Sequence, residues 1–577
     1  RRAAQMAGGL ATAVVAASWL CALAAASAAA AGRGPAAALR GAVGATVGAG
    51  ARGGGGRAGT HFAKGRLIER DALPDDWPYL RRCLDPRSPG GLLNLSLPLC
   101  GAGRTPDFST GARVAVVGGG PAGTSMAKLL KDRGFAHVTL FEASDRLGGK
   151  SRRFEVDGEA HELGTCYVSG KYECIEAWAE GVGMTEVKVD KDRLIALDGG
   201  NGSAPAVGSI WDYLAEHGQR HYDIPAEDFF TRFLQARQEY MSHWSATMGE
   251  DEYMFPSDPG SVDFDALNQT FESWLLGRKL EVLVPFVVFA SAGMGYGRAD
   301  EMPAYYGLTW MHPNFLFEVT TGMFAMFEEG YETLWERLAA SSAIDVRLGT
   351  AVRRIHRSGD GVDIELAGGG REAFDWLVMA SPMPQALSLL SDATEEELEL
   401  FGAYNYHELT ISVFDANGTG ALPADYELFT WADRLVSQST YYRMSLRDGR
   451  VEREMYDSSG DDGPITIRND FNIKGLKHDA LAVLTLSRPN TTDAELTAAT
   501  DRDVGRYGLQ LDLLARKRWD YMPFYSVQEV VRDRKPWRIW DLQGKSRTWW
   551  VGSYASFESV ADVLDYNLQL LNRRLCQ

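Results

Sequence analysis

Acidic residues are missing from the first 68 positions, which hold eight Arg and Lys but no Asp or Glu. The rest of the chain carries 51 basic and 77 acidic side chains, a net −26 within a total of −18. So acidic a body repels nucleic acid and anionic membrane faces. No basic patch with interleaved aromatics offsets that repulsion, which excludes nucleic-acid binding. Cysteine is scarce, six in 577 residues, with no Cys-x-x-Cys pair and no histidine cluster, and this argues against a metal site. Cys83 and Cys100 flank a Pro/Gly-rich segment and are candidates to pair in an oxidising compartment. A convincing membrane span is missing too. Leu10 to Ala31 is uncharged but dominated by Ala, which drives insertion weakly, and it reads as a secretory signal core.

The chain begins on Arg, as an incomplete translation would. Gly32 to Arg66 is rich in Ala, Gly and Arg. A signal followed by such a segment resembles the two-part presequences of algae whose plastids lie behind secretory membranes. The other reading is a secreted or endomembrane protein with a low-complexity linker. Residues 1–68 are therefore expected to be a targeting presequence and linker, with no integral membrane domain in the mature protein. Residues 69–110 form an N-terminal extension. Asn94, Asn201, Asn268, Asn417 and Asn490 head Asn-x-Ser/Thr sites, which matter only on the secretory route.

What is present is core and glycine. Apolar residues make up 45% of the chain, with 15 Trp, and 577 residues exceed one compact core, so two or more domains are expected. The organising stretch is Arg113 to Lys150. Val114 to Val117 reads as a buried strand, Gly118 to Gly123 as a glycine turn, and Met126, Leu129 and Leu130 as the apolar face of a helix. Val138 to Phe141 is a second strand ending on Glu142. Gly118, Gly120 and Gly123 thus form a Gly-x-Gly-x-x-Gly fingerprint in βαβ context, with Pro121 and Ala122 inside it. Such a turn lets the backbone approach a pyrophosphate at the helix N-terminus. Glu142, 19 residues beyond Gly123, is placed to accept bonds from ribose hydroxyls.

Arg146, Gly148, Gly149 and Lys150 follow directly. This second glycine pair with a basic flank resembles the paired-glycine signature of FAD enzymes, which implies that these residues hold the FAD pyrophosphate and ribityl chain. Arg152 to Thr165 reads as a hairpin returning to the cofactor. By the same resemblance Gly164 and Thr165 pass beside the flavin ring. His161 and Cys166 lie nearby and are read as packing residues.

Residues 171–320 read as a helical substrate domain, with helices at Trp211 to Leu214, Phe229 to Tyr240, Phe271 to Leu276 and Leu280 to Phe289. Its many aromatics and methionines suit core filling or a tunnel for an apolar substrate. Gly293 to Gly297 sets three glycines around Tyr296, a candidate pocket wall. From Gly322 a helix is expected to reach about Ala340, followed by strands at Ile344 to Leu348, Ala351 to His356, Val362 to Leu366 and Trp376 to Ala380. Residues 387–545 are expected to form an antiparallel platform over the flavin, with aromatics of Arg516 to Tyr525 on the substrate side. Thr548 to Val560 and the helix Ala561 to Leu571 close the chain as strand, glycine and helix.

Blocks 113–166, 322–380 and 548–571 resemble the flavin amine oxidase superfamily in order. Further residues resemble its polyunsaturated fatty acid double-bond isomerases: Phe271 to Leu275, Gly295 to Gly297 with Pro303 to Tyr305, Ala325 to Glu329, Val551 to Glu558, and Asp565 with Tyr566. The resemblance implies an α/β fold. A Rossmann-type FAD-binding domain (111–170, 321–386 and 546–577) would carry an inserted helical substrate domain (171–320) and a mixed α+β platform (387–545). It places Val352 beside the adenine, and it places Gly552, Ser553 and Val560 at the flavin, although Ser553 stands where the family has an acid. Asp375 is read as structural. It also implies hydride movement through flavin N5 on a polyunsaturated fatty acid, with no acid–base pair required. Arg193 is the candidate carboxylate anchor, and Tyr296 and Phe557 are candidate substrate contacts. The alternatives are an FAD oxidase of amines or secondary metabolites releasing hydrogen peroxide, a carotenoid or porphyrin oxidoreductase, and a non-catalytic FAD-bound protein.

Overall fold

In the computed structural model the described residues are 109–573, less 157–158, 170–171, 189–193, 198–205, 250–257, 314, 317–324, 418–425, 430–440, 457–465, 469–479, 488–490 and 505–509. The presequence, the N-terminal extension up to residue 108, Cys83, Cys100 and Arg193 therefore lie outside the described residues.

The β-branched run Arg113–Val117 forms β1, and its last four residues are buried. Helix α1, Pro121–Asp132, starts with a proline at its first turn and carries Lys131 in its last, both favourable ends. Strand β2, His137–Phe141, lies parallel to β1. On its far side β1 pairs in parallel with β3, Trp376–Met379. The strands Asp345–Arg347 and Thr548–Trp550 complete a five-stranded parallel sheet, with order 548–550, β3, β1, β2, 345–347. Its strands come from three remote parts of the chain, and β1, β2 and β3 are almost wholly buried. Asp375 binds across the β1–β3 seam, its Oδ2 accepting the Arg113 N–H at 2.7 Å.

The second body rests on β4, Ala403–Asn417. On one side β4 pairs antiparallel with Tyr441–Arg447 and then Ala480–Leu486; on the other it pairs antiparallel with β5, Gln510–Phe524. The expected platform is thus present, with one parallel junction where Tyr426–Phe429 meets Leu194–Leu197. Residues 171–320 supply helices Ile210–Tyr222, Ala226–Met248, Phe271–Leu276 and Val284–Gly293, together with three short strands. The last described helix is α2, Val560–Arg573, which packs on α1. There the Asn567 Nδ2 donates to the Ala122 carbonyl (2.9 Å) and to Ser125 Oγ (2.8 Å).

One expectation fails. The helix expected from Gly322 begins only at Tyr331 and ends at Ser341, while Ala325–Phe327 is a strand pairing with Glu186–Lys188. Gly330 at φ 80° turns the chain between the two, and its apolar neighbours are held by strand pairing rather than a helical face. Cys174 is disulfide-bonded, which spacing alone did not reveal. Among the described residues no helix is long and apolar enough to cross a membrane, and no cluster of His, Cys, Asp and Glu suits a metal.

Candidate functional site

The glycine turn sits between β1 and α1 with no side-chain cap on the helix and no acid in its first turn. Its leading amides are therefore left for an anion from outside the helix. The three fingerprint glycines do different work. Gly118 has φ 112° and faces the Ala380 carbonyl oxygen, which a Cβ would meet at 2.9 Å. A Cβ on Gly123 would overlap the Gly118 carbonyl oxygen. Gly120 is the open position, where a Cβ would meet only Gly149 Cα, at 3.7 Å. The cradle thus fits a phosphate-bearing ligand.

Glu142 braces this turn, Oε2 accepting the Gly119 N–H (2.7 Å) and Oε1 the Ser144 N–H (2.8 Å). Arg146 holds the second glycine pair, donating to the Gly149 carbonyl (2.9 Å), the Leu147 carbonyl (3.0 Å) and Glu332 (3.2 Å). Gly148 and Gly149 both have positive φ, which this tight loop requires. A Cβ on Gly164 would overlap the Lys150 carbonyl, so the returning hairpin presses directly on the paired-glycine loop. Val352 is half-buried at the head of the strand Val352–Arg357. Gly552 turns with φ 128° after the last parallel strand, followed by half-buried Ser553.

Between this cradle and the platform lies a cavity of about 760 Å³, open solvent at its mouth included. Gly164 to Ser169 form one wall and Glu558, Ser559 and Val560 the floor. Leu409, Ile411 and Leu484 come from the platform, and Met294, Trp310 and Phe315 from the helical insert. Leu409 and Ile411 are two apart on one strand, hence on one face. The floor is the N-terminal turn of α2, whose Ser559 hydroxyl accepts the Asp562 N–H at 3.1 Å.

Tyr296 and Tyr521 stand side by side in the wall, rings 5.8 Å apart and 6° from parallel. Phe557 meets Tyr296 edge-on at 5.2 Å and is not itself part of the lining. Burial first, then neighbouring acids and tyrosines, holds both hydroxyls well above the usual tyrosine range, so they act as neutral hydrogen-bonding groups. Cys166 lines the cavity, whereas His161 is buried away from it with its pKa lowered by burial. Among the described lining residues no Lys, Arg or His appears, and Glu558 is the one carboxylate. It is already engaged, since Lys150 Nζ lies 2.7 Å from its Oε2.

Sequence reading flagged Tyr296 and the segment holding Tyr521 but missed Glu558, Leu409, Ile411 and Leu484. The strand alternation of Leu409 and Ile411 was a usable signal. Glu558 gave none, because its partners are remote in sequence.

The parallel sheet, the glycine cradle and a cavity at a helix N-terminus define a flavin-binding enzyme architecture. Residues 121–419 match the model of the flavin-containing amine oxidoreductase family, and the chain belongs to that family. The polyenoic fatty acid isomerase of Ptilota filicina is 21% identical over 482 residues, covering 78% of this chain and 93% of that protein. A flavin-containing amine oxidase of Oncorhynchus mykiss is 41% identical over a local stretch of 101 residues, 19% of its length. Among solved structures, a CLA-producing fatty acid isomerase from P. acnes superposes with TM-score 0.64 at 19% identity, covering 80% of this chain and 99% of that one. Putrescine oxidase bound to putrescine gives TM-score 0.57 at 15% identity, covering 80% and 98%. These likenesses establish the fold. The protein is a flavin-dependent enzyme of oxidoreductase or isomerase type.

Proposed function

We propose that the protein holds FAD in the glycine cradle and isomerises a polyunsaturated fatty acid to a conjugated product. The observation that carries this reading is the cavity: aromatic and aliphatic side chains line it beside Thr165, Ser169 and Glu558, no Lys, Arg or His appears among its described lining, and the N-terminal turn of α2 floors it. Flavin, when bound, supplies reversible hydride transfer at N5, which shifts double bonds into conjugation with no external oxidant. The amides left open at α1, with Gly120 and Gly149, receive the pyrophosphate. Glu142 takes the ribose end, and Arg146 and Lys150 keep the second loop in place. The first turn of α2 brings a helix N-terminus to the cavity floor, where its own Asp562, held by Ser559, offsets part of the positive charge. Leu409, Ile411, Leu484 and Phe315 exclude water and align the chain, so catalysis comes from positioning. The matched isomerases support the substrate class.

The test is anaerobic incubation of the purified yellow protein with polyunsaturated fatty acids. A growing conjugated-polyene absorbance without oxygen uptake supports the proposal. Turnover that requires oxygen and releases hydrogen peroxide refutes it in favour of an oxidase.

A further inference from the structure

The β4–β5 ladder is irregular next to the cavity. Phe524 pairs with Asn405 and Tyr521 with His407, so Met522 and Pro523 together oppose Tyr406 alone. This is a β-bulge, and Met522 takes φ 54°, a conformation usually left to glycine. Cross-strand partners share a face, and Asn405 and His407 are two apart. The bulge therefore brings Tyr521 and Phe524 to one face, although their odd spacing would put them on opposite faces of a regular strand. Phe524 uses that face to stack on His407 at 5.4 Å, and Tyr521 uses it to reach the cavity beside Tyr296.

The extra residue leaves an amide outside the ladder, and Pro523 has none to give. The Met522 N–H donates to Glu558 Oε2 at 3.0 Å. The same oxygen receives Lys150 Nζ at 2.7 Å, and the ammonium also lies 5.3 Å over the Tyr521 ring. Glu558 is thus joined to the cofactor loop, the platform bulge and the turn before α2, and its side chain is 9% exposed.

We infer that Glu558 is a positioning residue: through the Met522 amide it holds the bulge that aims Tyr521 into the cavity, with Lys150 fixing its carboxylate. Its bearing on the substrate rests on the reading of the cavity given above. Glutamine keeps an oxygen for the Met522 amide and loses the ion pair, whereas alanine loses both. In the holoenzyme, Glu558→Ala exposes the Met522 amide to exchange about tenfold faster, and Glu558→Gln stays near wild type. Titrating a polyunsaturated fatty acid against the visible flavin band gives affinity weakened about tenfold for Glu558→Ala and largely rescued by Glu558→Gln. Unchanged Met522 protection in Glu558→Ala overturns the inference. So does a Glu558→Gln variant whose Met522 amide exchanges about tenfold faster than in the wild type, a comparison that needs no folded alanine variant. A wild-type flavin band that no fatty acid perturbs removes the substrate reading instead, while the amide exchange still decides the role of Glu558.

Discussion

A glycine serves one of two ends in the turn after β1, and the distinction is measurable. Gly123 is glycine because the protein itself fills the space: a Cβ there would overlap the Gly118 carbonyl oxygen. Gly120 has φ −74° and room for a Cβ, so the fold makes no demand for glycine there. The demand comes from whatever lies above the turn. Gly120→Val should therefore purify as a folded protein with a melting temperature within a few degrees of the apo wild type, yet colourless. Gly123→Ala should lower stability by several kcal/mol or fail to fold, because backbone must move. Absorbance at the flavin band and thermal unfolding separate the two. A yellow Gly120→Val protein would remove the cofactor from this turn.

At the scale of elements, short helices on the platform are held by charge. Val527–Val531 starts with a capping box, Ser526 with Glu529, and Glu529 also meets Arg443 at 2.9 Å and Lys535 at 2.8 Å. Burial alone would raise its pKa, but the Arg443 hydrogen bond, the Lys535 charge and the Ser526 N–H outweigh it and bring it down to about 2. A depressed carboxyl stabilises the fold fully above its unfolded pKa and loses that contribution as pH falls toward 2. The shift corresponds to about 3 kcal/mol. Glu529→Gln should thus cost stability at pH 6 and progressively less below pH 4, as followed by chemical denaturation. An equal cost at every pH would show that packing, not charge, is lost.

The same scale shows what could be read beforehand. The first βαβ unit was legible because its signals are local: a β-branched run, a glycine turn and an apolar helix face within about thirty residues. The strand Ala325–Phe327 was not, because its partner Glu186–Lys188 lies far off in sequence and three residues carry no period. The cavity was half legible. Tyr296 announced itself through flanking glycines, whereas Glu558 and the Met522 bulge arise only when β4, β5 and α2 come together. A bulge leaves no mark in residue type when a methionine occupies the position glycine usually fills.

For the whole molecule, the seam between the returning hairpin and the helix Tyr331–Ser341 carries an acid with the opposite pH behaviour. Glu162 ends the strand Glu159–Glu162 and accepts the Tyr331 N–H at 2.6 Å, joining the returning hairpin to the helix Tyr331–Ser341. Burial, reinforced by Glu332 and only partly offset by the Tyr331 N–H and Arg153, lifts its pKa to about 8. Between about pH 4.5 and 8 the unfolded chain has released this proton and the folded protein has kept it. Stability from this group therefore falls with rising pH by about 1.4 kcal/mol per unit through that window and levels off above it. The acid limb of the stability profile belongs to groups such as Glu529 and the alkaline decline to Glu162, and the two share no hydrogen-bond partner. Glu162→Gln keeps an oxygen for the Tyr331 N–H and has no proton to release. Its stability relative to wild type should rise steadily from pH 5 to pH 8, read from denaturant midpoints at each pH. Parallel profiles for the two proteins would mean that Glu162 is already ionised in the fold, and that the seam supplies a counter-charge strong enough to overcome its burial.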